Sequence, residues 1–326
     1  MARFGCTITV DTGQMPSSQS NFVWLATESN FPTAAIDGGA TSILNGGGNL
    51  RCYTDDTKAS QLPIEVVSFV TGGTPSVQVW GLSPTLNVAS TVYIEADTVA
   101  TTQPAVTDTY GRNAVWFGFK AVIHANETGT NGVFTDSTGN GHDTTLTTGA
   151  TLATTSSGHP FAGSWPDFTM SEVITLTNSY QAINNTPFTF SCWVNADATS
   201  NSQGLFGSRY NSPDTHWASI QTNGKCSSKA TSTENLADAS SISIGVTQLV
   251  KLKQNTTSLD NVSDGVIVAQ DLSVVSGESI NNVTPVNNFR VGTYFDNSSG
   301  RRYNGRAAEF RIKQSKDSVA YDESEY

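Results

Sequence analysis

The chain has 326 residues, with 28 acidic against 17 basic side chains and a formal net charge of −11. Hydrophobic residues make up 37%, charged residues only 14%, and Ser and Thr together about a quarter of the chain. These proportions exclude global disorder and a helical protein, since β-branched residues abound, and they disfavour nucleic-acid binding, since no basic stripe offsets the negative charge. The length predicts two domains.

The N-terminus lacks the features of a secretory signal. The ten residues that begin at Met1 contain one basic residue, and no apolar stretch of the length of a signal peptide follows it. No segment approaches the 18 or more apolar residues of a membrane span. We therefore expect a protein that is made without a signal peptide and is not inserted into a membrane.

Short β-like runs separated by turn residues recur through the first hundred residues. Runs at 64–70, 76–80 and 91–95 are broken by Gly, Pro and Ser, which is typical of antiparallel sandwiches. The stretch 101–108 has no periodicity and contains a proline, so it predicts a linker. The predicted organisation is an N-terminal β-sandwich for attachment (1–100), a linker (101–113) and a second β domain (114–326).

The β pattern continues in the second domain. The clearest alternation of apolar and other side chains is at 188–194, and Asp264-Gly265 is a hairpin signal. Lys251 and Lys253 alternate with apolar neighbours, which predicts the solvent face of a half-buried strand. Only residues 233–238 suggest a short helix.

The four cysteines match neither a zinc motif nor a disulfide scaffold. Cys192 shares one face of its strand with Phe188, Phe190 and Val194, so we expect a small buried hydrophobe rather than a reactive thiol. Pairing of Cys6 with Cys52 and of Cys192 with Cys226 remains open, because the sequence supports neither pair.

The first hundred residues are similar to a known, uncharacterised β domain. The motifs are the Gly-rich stretch 45–54, the Leu-Pro-Ile-Glu stretch 61–69, Val79-Trp80 and the strand 92–94. That domain typically precedes a LamG-type jelly roll in bacterial surface proteins and tailed-phage proteins. Gly81 and the Glu95-Ala96 pair depart from the usual pattern of the family.

The remainder resembles the LamG-type jelly roll itself. Five motifs follow one another in the order of that family, at 114–127, 136–143, 188–194, 263–268 and 304–312. The resemblance implies a concanavalin-A-like, two-sheet jelly roll behind the small β-sandwich, hence an all-β chain. In such a roll, the packing residues would include Trp116, Phe190, Trp193 and Phe310.

Catalytic constellations are missing from the sequence. No strand carries the Glu-x-Asp-x-x-Glu of a retaining glucanase, and no Gly-x-Ser-x-Gly elbow occurs. His124 fits a satisfied core or edge position, and His142 fits a turn. We therefore expect a protein that is not an enzyme and requires no cofactor.

A structural calcium ion is the one metal that the sequence suggests. Asp136, Asn140 and Asp143 place oxygen donors within one Gly-rich turn, and related jelly rolls often carry calcium. Glu309 lies where the family has an acidic pair, and two roles are open for it: completing the site or capping a strand end. The sequence favours the alternative that these residues only build the turn, because the same residue types occur in any tight turn.

Two segments contain residues of the kinds that bind sugars, namely aromatic rings for stacking and polar side chains for hydroxyl groups. They lie at 207–217 and 294–303. The alternative, which is favoured for any single residue, is a pair of long surface hairpins in which Trp217 begins a core strand. A third option for Arg301 and Arg302 is a salt bridge to a neighbouring subunit. The candidate glycan-binding residues are Arg209, Tyr210, Asp214, Trp217, Tyr294, Arg301 and Tyr303.

These observations favour a non-enzymatic bacteriophage virion surface protein, made in the host cytoplasm. It would be a capsid decoration, a head fibre or a tail-associated adhesin, with a lectin-like jelly roll facing outward. Expected partners are capsid or tail proteins, further copies in a homo-oligomer such as a trimer, and cell-surface glycans. The alternative is a bacterial cell-surface or secreted carbohydrate-binding module, and a glycoside hydrolase is the least favoured reading.

Overall fold

The computed structural model describes most of the chain. The described residues are 4–9, 15, 17–87, 90–128, 130–157, 159–161, 163–177, 187–198, 202–211, 214–220, 224–231, 233–236, 242–254, 259–264, 266–271, 287–293, 299–315, 317–318 and 320–321. Within them, each α-helix is a single turn, Thr33–Ile36 (α1) and Arg112–Val115 (α2). None of these helices is long and apolar enough to cross a bilayer.

The N-terminal part is a sandwich of two antiparallel sheets. One sheet has the order β1-β7-β3-β4 and the other the order β2-β6-β5. A core cluster that includes Ile43, Leu50, Val77 and Ile94 lies between them, each side chain fully buried. The strands are β1 (Gly5–Thr9), β2 (Gln19–Thr27), β3 (Leu50–Tyr53), β4 (Gln61–Leu62), β5 (Ile64–Val70), β6 (Ser76–Leu86) and β7 (Thr91–Ala96).

The larger part is a second antiparallel sandwich. Its strands are β8 (Phe119–Ile123), β9 (Thr144–Thr148), β10 (Ala153–Thr155), β11 (Trp165–Thr169), β12 (Val173–Leu176), β13 (Phe188–Ala196), β14 (Gln203–Asn211), β15 (Asp214–Ile220), β16 (Cys226–Thr231), β17 (Thr233–Leu236), β18 (Thr247–Gln254), β19 (Leu259–Ser263), β20 (Val266–Asp271), β21 (Asn287–Val291) and β22 (Asn304–Lys313). The front sheet has the order β10-β11-β22-β13-β18-β19-β20, with β8 also paired to β22, and the back sheet has the order β17-β16-β15-β14-β21-β12-β9. The predicted all-β class, with a small sandwich before a larger one, is confirmed.

Strand periodicity accounts for the core of the larger sandwich. Phe188, Phe190, Cys192 and Val194 are buried in one cluster between the two sheets, as their alternation predicts. The Asp-Gly hairpin is also confirmed, since β19 and β20 pair across it and Asp264 adopts a left-handed conformation, with φ of 50°.

Two local predictions are wrong. Residues 233–236 form strand β17 rather than a helix, because pairing with β16 satisfies their backbone. Lys251 and Lys253 are each only 1% exposed, although they lie on the outer face of the front sheet. Their ammonium groups are covered by the C-terminal segment (residues 314–321, of which 316 and 319 lie outside the described residues): the Nζ of Lys253 donates to the carbonyl of Asp317 at 3.3 Å, and that of Lys251 lies 5.6 Å from the ring centre of Tyr321.

Cys6 and Cys52 are free thiols separated by one strand. Both pair in register with Ile94, which lies between them on β7. Two strand spacings amount to about 10 Å between Cα atoms, beyond the roughly 7 Å limit for a disulfide. Cys192 is free as well, and the side chain of Cys226 lies outside the described set.

Residues 101–113 lie against the first sandwich. The guanidinium of Arg51 donates to the carbonyl of Thr102 at 3.0 Å, and the backbone N–H of Ile64 donates to the carbonyl of Tyr110 at 3.2 Å. The segment thus covers the edge strand β5 before the chain enters α2. The domain boundaries at 100 and 113 stay predictions.

Candidate functional site

A buried imidazole joins the two sandwiches. His124 follows β8, its Nε2 lies 2.9 Å from Glu65 of the N-terminal sandwich, and its Nδ1 lies 2.8 Å from Glu309 of β22. The three residues are at most 6% exposed. Burial alone would lower the pKa of His124, but the carboxylates of Glu309 and Glu65 outweigh it and raise the pKa to about 10. The ring is therefore a doubly bonded imidazolium at neutral pH.

Further donors complete this arrangement, which we call the interdomain cluster (Glu65, Gln78, His124, Glu309 and Arg311). The side-chain amide of Gln78 donates to Glu309 at 2.7 Å, and the guanidinium of Arg311 donates to it at 3.2 Å. Burial alone would raise the pKa of Glu309, but the charges of His124 and Arg311 and these hydrogen bonds lower it. Glu65 and Glu309 thus serve as counter-ions to two buried cations.

Aromatic side chains and a serine enclose the cluster. The indole N–H of Trp116 and the hydroxyl of Ser137 both donate to Glu65. The ring of Trp80 stacks on His124 and has the guanidinium of Arg311 4.3 Å from its centre. This shell keeps water from the charges, and the cluster bonds the two sandwiches to each other.

The backbone of β22 aims Glu309 into this position. Along β13, the register moves from Ser191–Arg311 to Trp193–Ala308, so one residue of β13 faces two of β22. Glu309 lies in this bulge and has φ of 56°. A bulge redirects a side chain out of the regular alternation. Phe310 therefore stays in the core while Glu309 faces the N-terminal sandwich.

The outer face of the front sheet is covered near the cluster and along β18. Phe161 packs edge-on against both Trp80 and Trp193, with ring centres 5.8 and 5.6 Å apart. The C-terminal segment covers the lysines of β18, and its Tyr321 packs on Phe22 of the N-terminal sandwich at 5.0 Å. Other parts of the protein therefore cover the centre of this face, as far as the structure describes it.

The back sheet presents a different surface. Phe206, Val291 and Ile174 pair in register and belong to the buried core. The next register position along each strand alternates with these core positions. The alternating positions form one continuous series across seven strands, which we call the outer row: Thr145, Thr175, Arg290, Gly207, Trp217, Lys229 and Glu234.

The structure places four predicted glycan residues on one hairpin of the back sheet. Arg209 and Tyr210 lie on β14, and Asp214 and Trp217 lie on β15. Trp217 pairs with Gly207 in the outer row, and its side chain lies outside the described set. Arg209 pairs with Thr215, two positions along from that pair.

The three candidate residues of the second predicted segment, 294–303, do not lie together on one surface within the described part of the chain. Tyr294 lies outside the described residues, and Arg301 is exposed in the short 3-10 helix Ser299–Arg301. Tyr303 is only 1% exposed: its ring packs on Phe168 and its hydroxyl donates to the carbonyl of Arg306 at 3.1 Å. Its assignment as a glycan residue is wrong, because the bonded hydroxyl allows the ring to fill the core.

The four residues suggested for calcium do not fit an oxygen cage. The Asp136 carboxylate accepts hydrogen bonds from the backbone N–H groups of Val122, Thr138 and His142. Asp143 accepts from the N–H of Asp136, the Asn140 amide donates to the carbonyls of residues 119 and 120, and Glu309 belongs to the interdomain cluster. Within the described residues, no group of three or more His, Cys, Asp or Glu side chains could hold a metal. The hydrogen bonds match the turn-only alternative.

Sequence reasoning missed the convergence of the interdomain cluster. Its hydrogen-bonded members Gln78 and Glu309 are 231 residues apart along the chain. A signal was nevertheless present, because the motifs that resemble the two families contain Glu65, Trp80, His124, Glu309 and Arg311. Polar residues inside otherwise apolar strand motifs were the indication that these strands face another part of the protein.

No protein-family model matches the chain, and no relative among the curated proteins matches it either. Among solved structures, it is similar to domain 4 of AbnA, an extracellular arabinanase from Geobacillus stearothermophilus, in complex with arabinotriose, at 18% identity and a TM-score of 0.46, over 63% of this chain and 98% of that one. It is also similar to the Ruminococcus gnavus IT-sialidase CBM40 bound to α2,3-sialyllactose, at 13% identity and a TM-score of 0.36, over 41% of this chain and 79% of that one. A third likeness is to the botulinum neurotoxin serotype C1 binding domain, at 12% identity and a TM-score of 0.45, over 64% of this chain and 51% of that one. At these scores the likenesses assign no function to the chain.

Proposed function

We propose that this protein is a non-catalytic glycan-binding protein and that the glycan lies on the outer row of the back sheet. The observation that carries the proposal is the register Trp217–Gly207–Arg290. In this register, an aromatic residue, a residue without a side chain and a cationic residue follow one another across three neighbouring strands.

The chemistry of these three positions suits a sugar. An indole offers an apolar face for the C–H side of a pyranose ring, and a guanidinium offers several fixed donors for its hydroxyl groups. Neighbouring strands are about 4.8 Å apart, so Trp217 and Arg290 stand about 10 Å apart with Gly207 between them.

The outer face of the front sheet of the same sandwich is less suited to binding a sugar. On the front sheet, Trp80, Phe161 and the C-terminal segment cover the centre of the outer face. The carboxylates buried there, Glu65 and Glu309, neutralise His124 and Arg311 and accept most of their hydrogen bonds from protein donors. They therefore do not serve as the acid and base of a glycosidase in this proposal.

The finer role that we propose is that of a bacteriophage virion surface protein, in which the N-terminal sandwich attaches to the particle. The tandem resemblance of the two sequence halves supports it. The interdomain cluster supports it as well, because it holds the back sheet at a fixed orientation to the N-terminal sandwich. Labelling of purified phage particles with a gold-conjugated antibody against this protein tests this role. If the particles lack the protein, the virion role is contradicted, whereas the proposal of glycan binding is unaffected.

Glycan binding is tested by an array of plant, bacterial and animal glycans probed with the full chain and with Trp217→Ala. We expect hits that Trp217→Ala loses and Trp217→Phe largely retains. The matched control is Phe117→Ala, which removes a 73% exposed aromatic ring outside the back sheet and should leave binding unchanged. An array without hits, or hits that survive Trp217→Ala, would contradict the proposal.

A further inference from the structure

We infer that two copies of this chain join at the edge strand β1, by antiparallel pairing of β1 with β1 of the second copy. β1 stands at one end of the sheet order β1-β7-β3-β4 and pairs with β7 on one side. No strand lies along its other side among the described residues. An open edge presents a row of backbone donors and acceptors, and the ligand that matches such a row is another strand.

The hydrogen-bond pattern shows which residues of β1 face the open edge. The backbone N–H of Ala96, on β7, donates to the carbonyl of Phe4 at 3.0 Å, so Phe4 bonds to β7. In an antiparallel ladder, every second residue bonds to the same neighbour. The N–H and C=O groups of Gly5, Thr7 and Thr9 therefore point away from β7, and all three residues are exposed.

β1 lacks the features that block pairing at a sheet edge. Those features are charged side chains, proline, bulges and very short strands. Residues Gly5–Thr9 contain neither a charge nor a proline, and their register with β7 is uninterrupted. By contrast, β4 at the other end of this sheet has two residues, and the edge strand β5 of the second sheet bonds to the carbonyl of Tyr110.

The core of the N-terminal sandwich is also incomplete at β1. Phe4, Cys6 and Ile8 pack against the core cluster but are only partly buried. Ile94, which pairs with Cys6 on the neighbouring strand, is fully buried. A strand beside β1 would cover apolar surface that a single copy leaves in contact with water, and such burial favours association.

The strand that fits this edge is β1 itself. When two β1 strands pair about a two-fold axis at Thr7, each Thr7 faces its equivalent, Gly5 faces Thr9, and Cys6 faces Ile8. The apolar pair then lies on the core side of the sheet, and the ladder gains about six main-chain hydrogen bonds.

Charge and symmetry agree with this choice. Each copy has a net charge of −11, but β1 contains no charged side chain, so the pairing places no like charges opposite each other along the strand. Pairing of one strand with its own equivalent closes at two copies. The contact therefore forms a dimer rather than a trimer.

Sedimentation velocity of the full chain tests the pairing. At concentrations up to about 100 μM, we expect a species of twice 34.5 kDa. Thr7→Pro removes an N–H that β7 does not use, and an edge strand tolerates proline at such a position. It should raise the dissociation constant of the dimer at least about tenfold. A full chain that stays monomeric, or a dimer that Thr7→Pro leaves unchanged, would overturn the inference.

A charge exchange at Thr7 separates loss of the interface from misfolding. Thr7→Lys and Thr7→Glu each place like charges opposite each other across the two-fold axis, so each variant alone should dissociate at low ionic strength. An equal mixture of the two should recover the dimer, because opposite charges then face each other. The matched controls Thr85→Lys and Thr85→Glu alter an exposed threonine on β6 and should leave the dimer intact. Thr7 variants that fold but stay monomeric after mixing, or equal dissociation by the Thr85 variants, would overturn the inference.

Discussion

Glu309→Gln is the substitution that most directly probes how the two sandwiches are joined. Glutamine keeps the shape of the side chain and removes its charge. In the native cluster, Glu65 and Glu309 balance the imidazolium of His124 and the guanidinium of Arg311. After the substitution, a net positive charge remains in a site where Glu309 is 1% and Arg311 4% exposed.

The expected loss follows from this burial. Removing one partner of a buried ion pair typically costs about 3–5 kcal/mol of stability, because the remaining charge has neither its partner nor water. With an unfolding entropy of about 2.1 cal/mol/K per residue, that corresponds to a fall in Tm of about 4–7 °C for a chain of 326 residues. The Gln78 amide and the Arg311 guanidinium also lose the charged acceptor of their hydrogen bonds.

The loss of stability caused by Glu309→Gln should depend on pH in a defined direction. The pKa of His124 is raised from 6.5 to about 10, so its contribution is complete below pH 6.5 and disappears as the pH rises through about 10. The pKa of Glu309 is lowered from 4.5, so its contribution is present above pH 4.5 and is lost as the pH falls through the lower folded value. The difference between wild type and variant is therefore largest between about pH 4.5 and 6.5.

Urea unfolding followed by tryptophan fluorescence measures this difference, because Trp80 and Trp116 contact the cluster. Glu127→Gln is the matched control: Glu127 accepts a hydrogen bond from the backbone N–H of Thr135 and has no part in the cluster. The control should change stability by less than about 1 kcal/mol. A Glu309→Gln protein as stable as wild type at pH 6 would refute the account of the cluster.

Other contacts give three further predictions. Tyr321→Ala removes an aromatic ring from the contact between the C-terminal segment and the N-terminal sandwich, and denaturant unfolding should show a loss of about 3–5 kcal/mol; an unchanged midpoint would contradict that packing. Burial raises the pKa of the Cys6 thiol to about 11 and raises that of Cys52 further. Both thiols should therefore react with iodoacetamide at pH 8 far more slowly than a free cysteine. A Cys6–Cys52 disulfide, detected in the intact mass of the native protein, would contradict the strand register. Because the Asp136 carboxylate is already bonded to backbone N–H groups, EDTA should leave Tm within about 1 °C, whereas a large fall would restore the calcium hypothesis.

Local patterns in the sequence predicted the fold class because they depend on neighbours along one strand. The alternation at 188–194 reports a core face directly, and it holds for Cys192. It failed at Lys251 and Lys253, because a strand pattern cannot show what covers its polar face. There, the covering residues are Asp317 and Tyr321, more than 60 positions later in the chain.

The site was only partly predictable for the same reason. Residue types at 207–217 identified Arg209 and Trp217 as sugar-binding candidates, but only the pairing of β14, β15 and β21 brings their strands beside the strand of Arg290. The same criterion selected Tyr303, whose ring is buried because its hydroxyl has a partner in the core. A hydroxyl with an internal acceptor cannot be recognised from composition.

Hydrogen–deuterium exchange with a saturating glycan is the most direct test of the central claim. The peptides to compare are those that cover β14, β15 and β21 and those that cover the N-terminal sandwich and β18. A glycan on the outer row should protect the first group and leave the second unchanged. Protection confined to the front sheet or to the N-terminal sandwich would contradict the assignment of the back sheet as the binding surface.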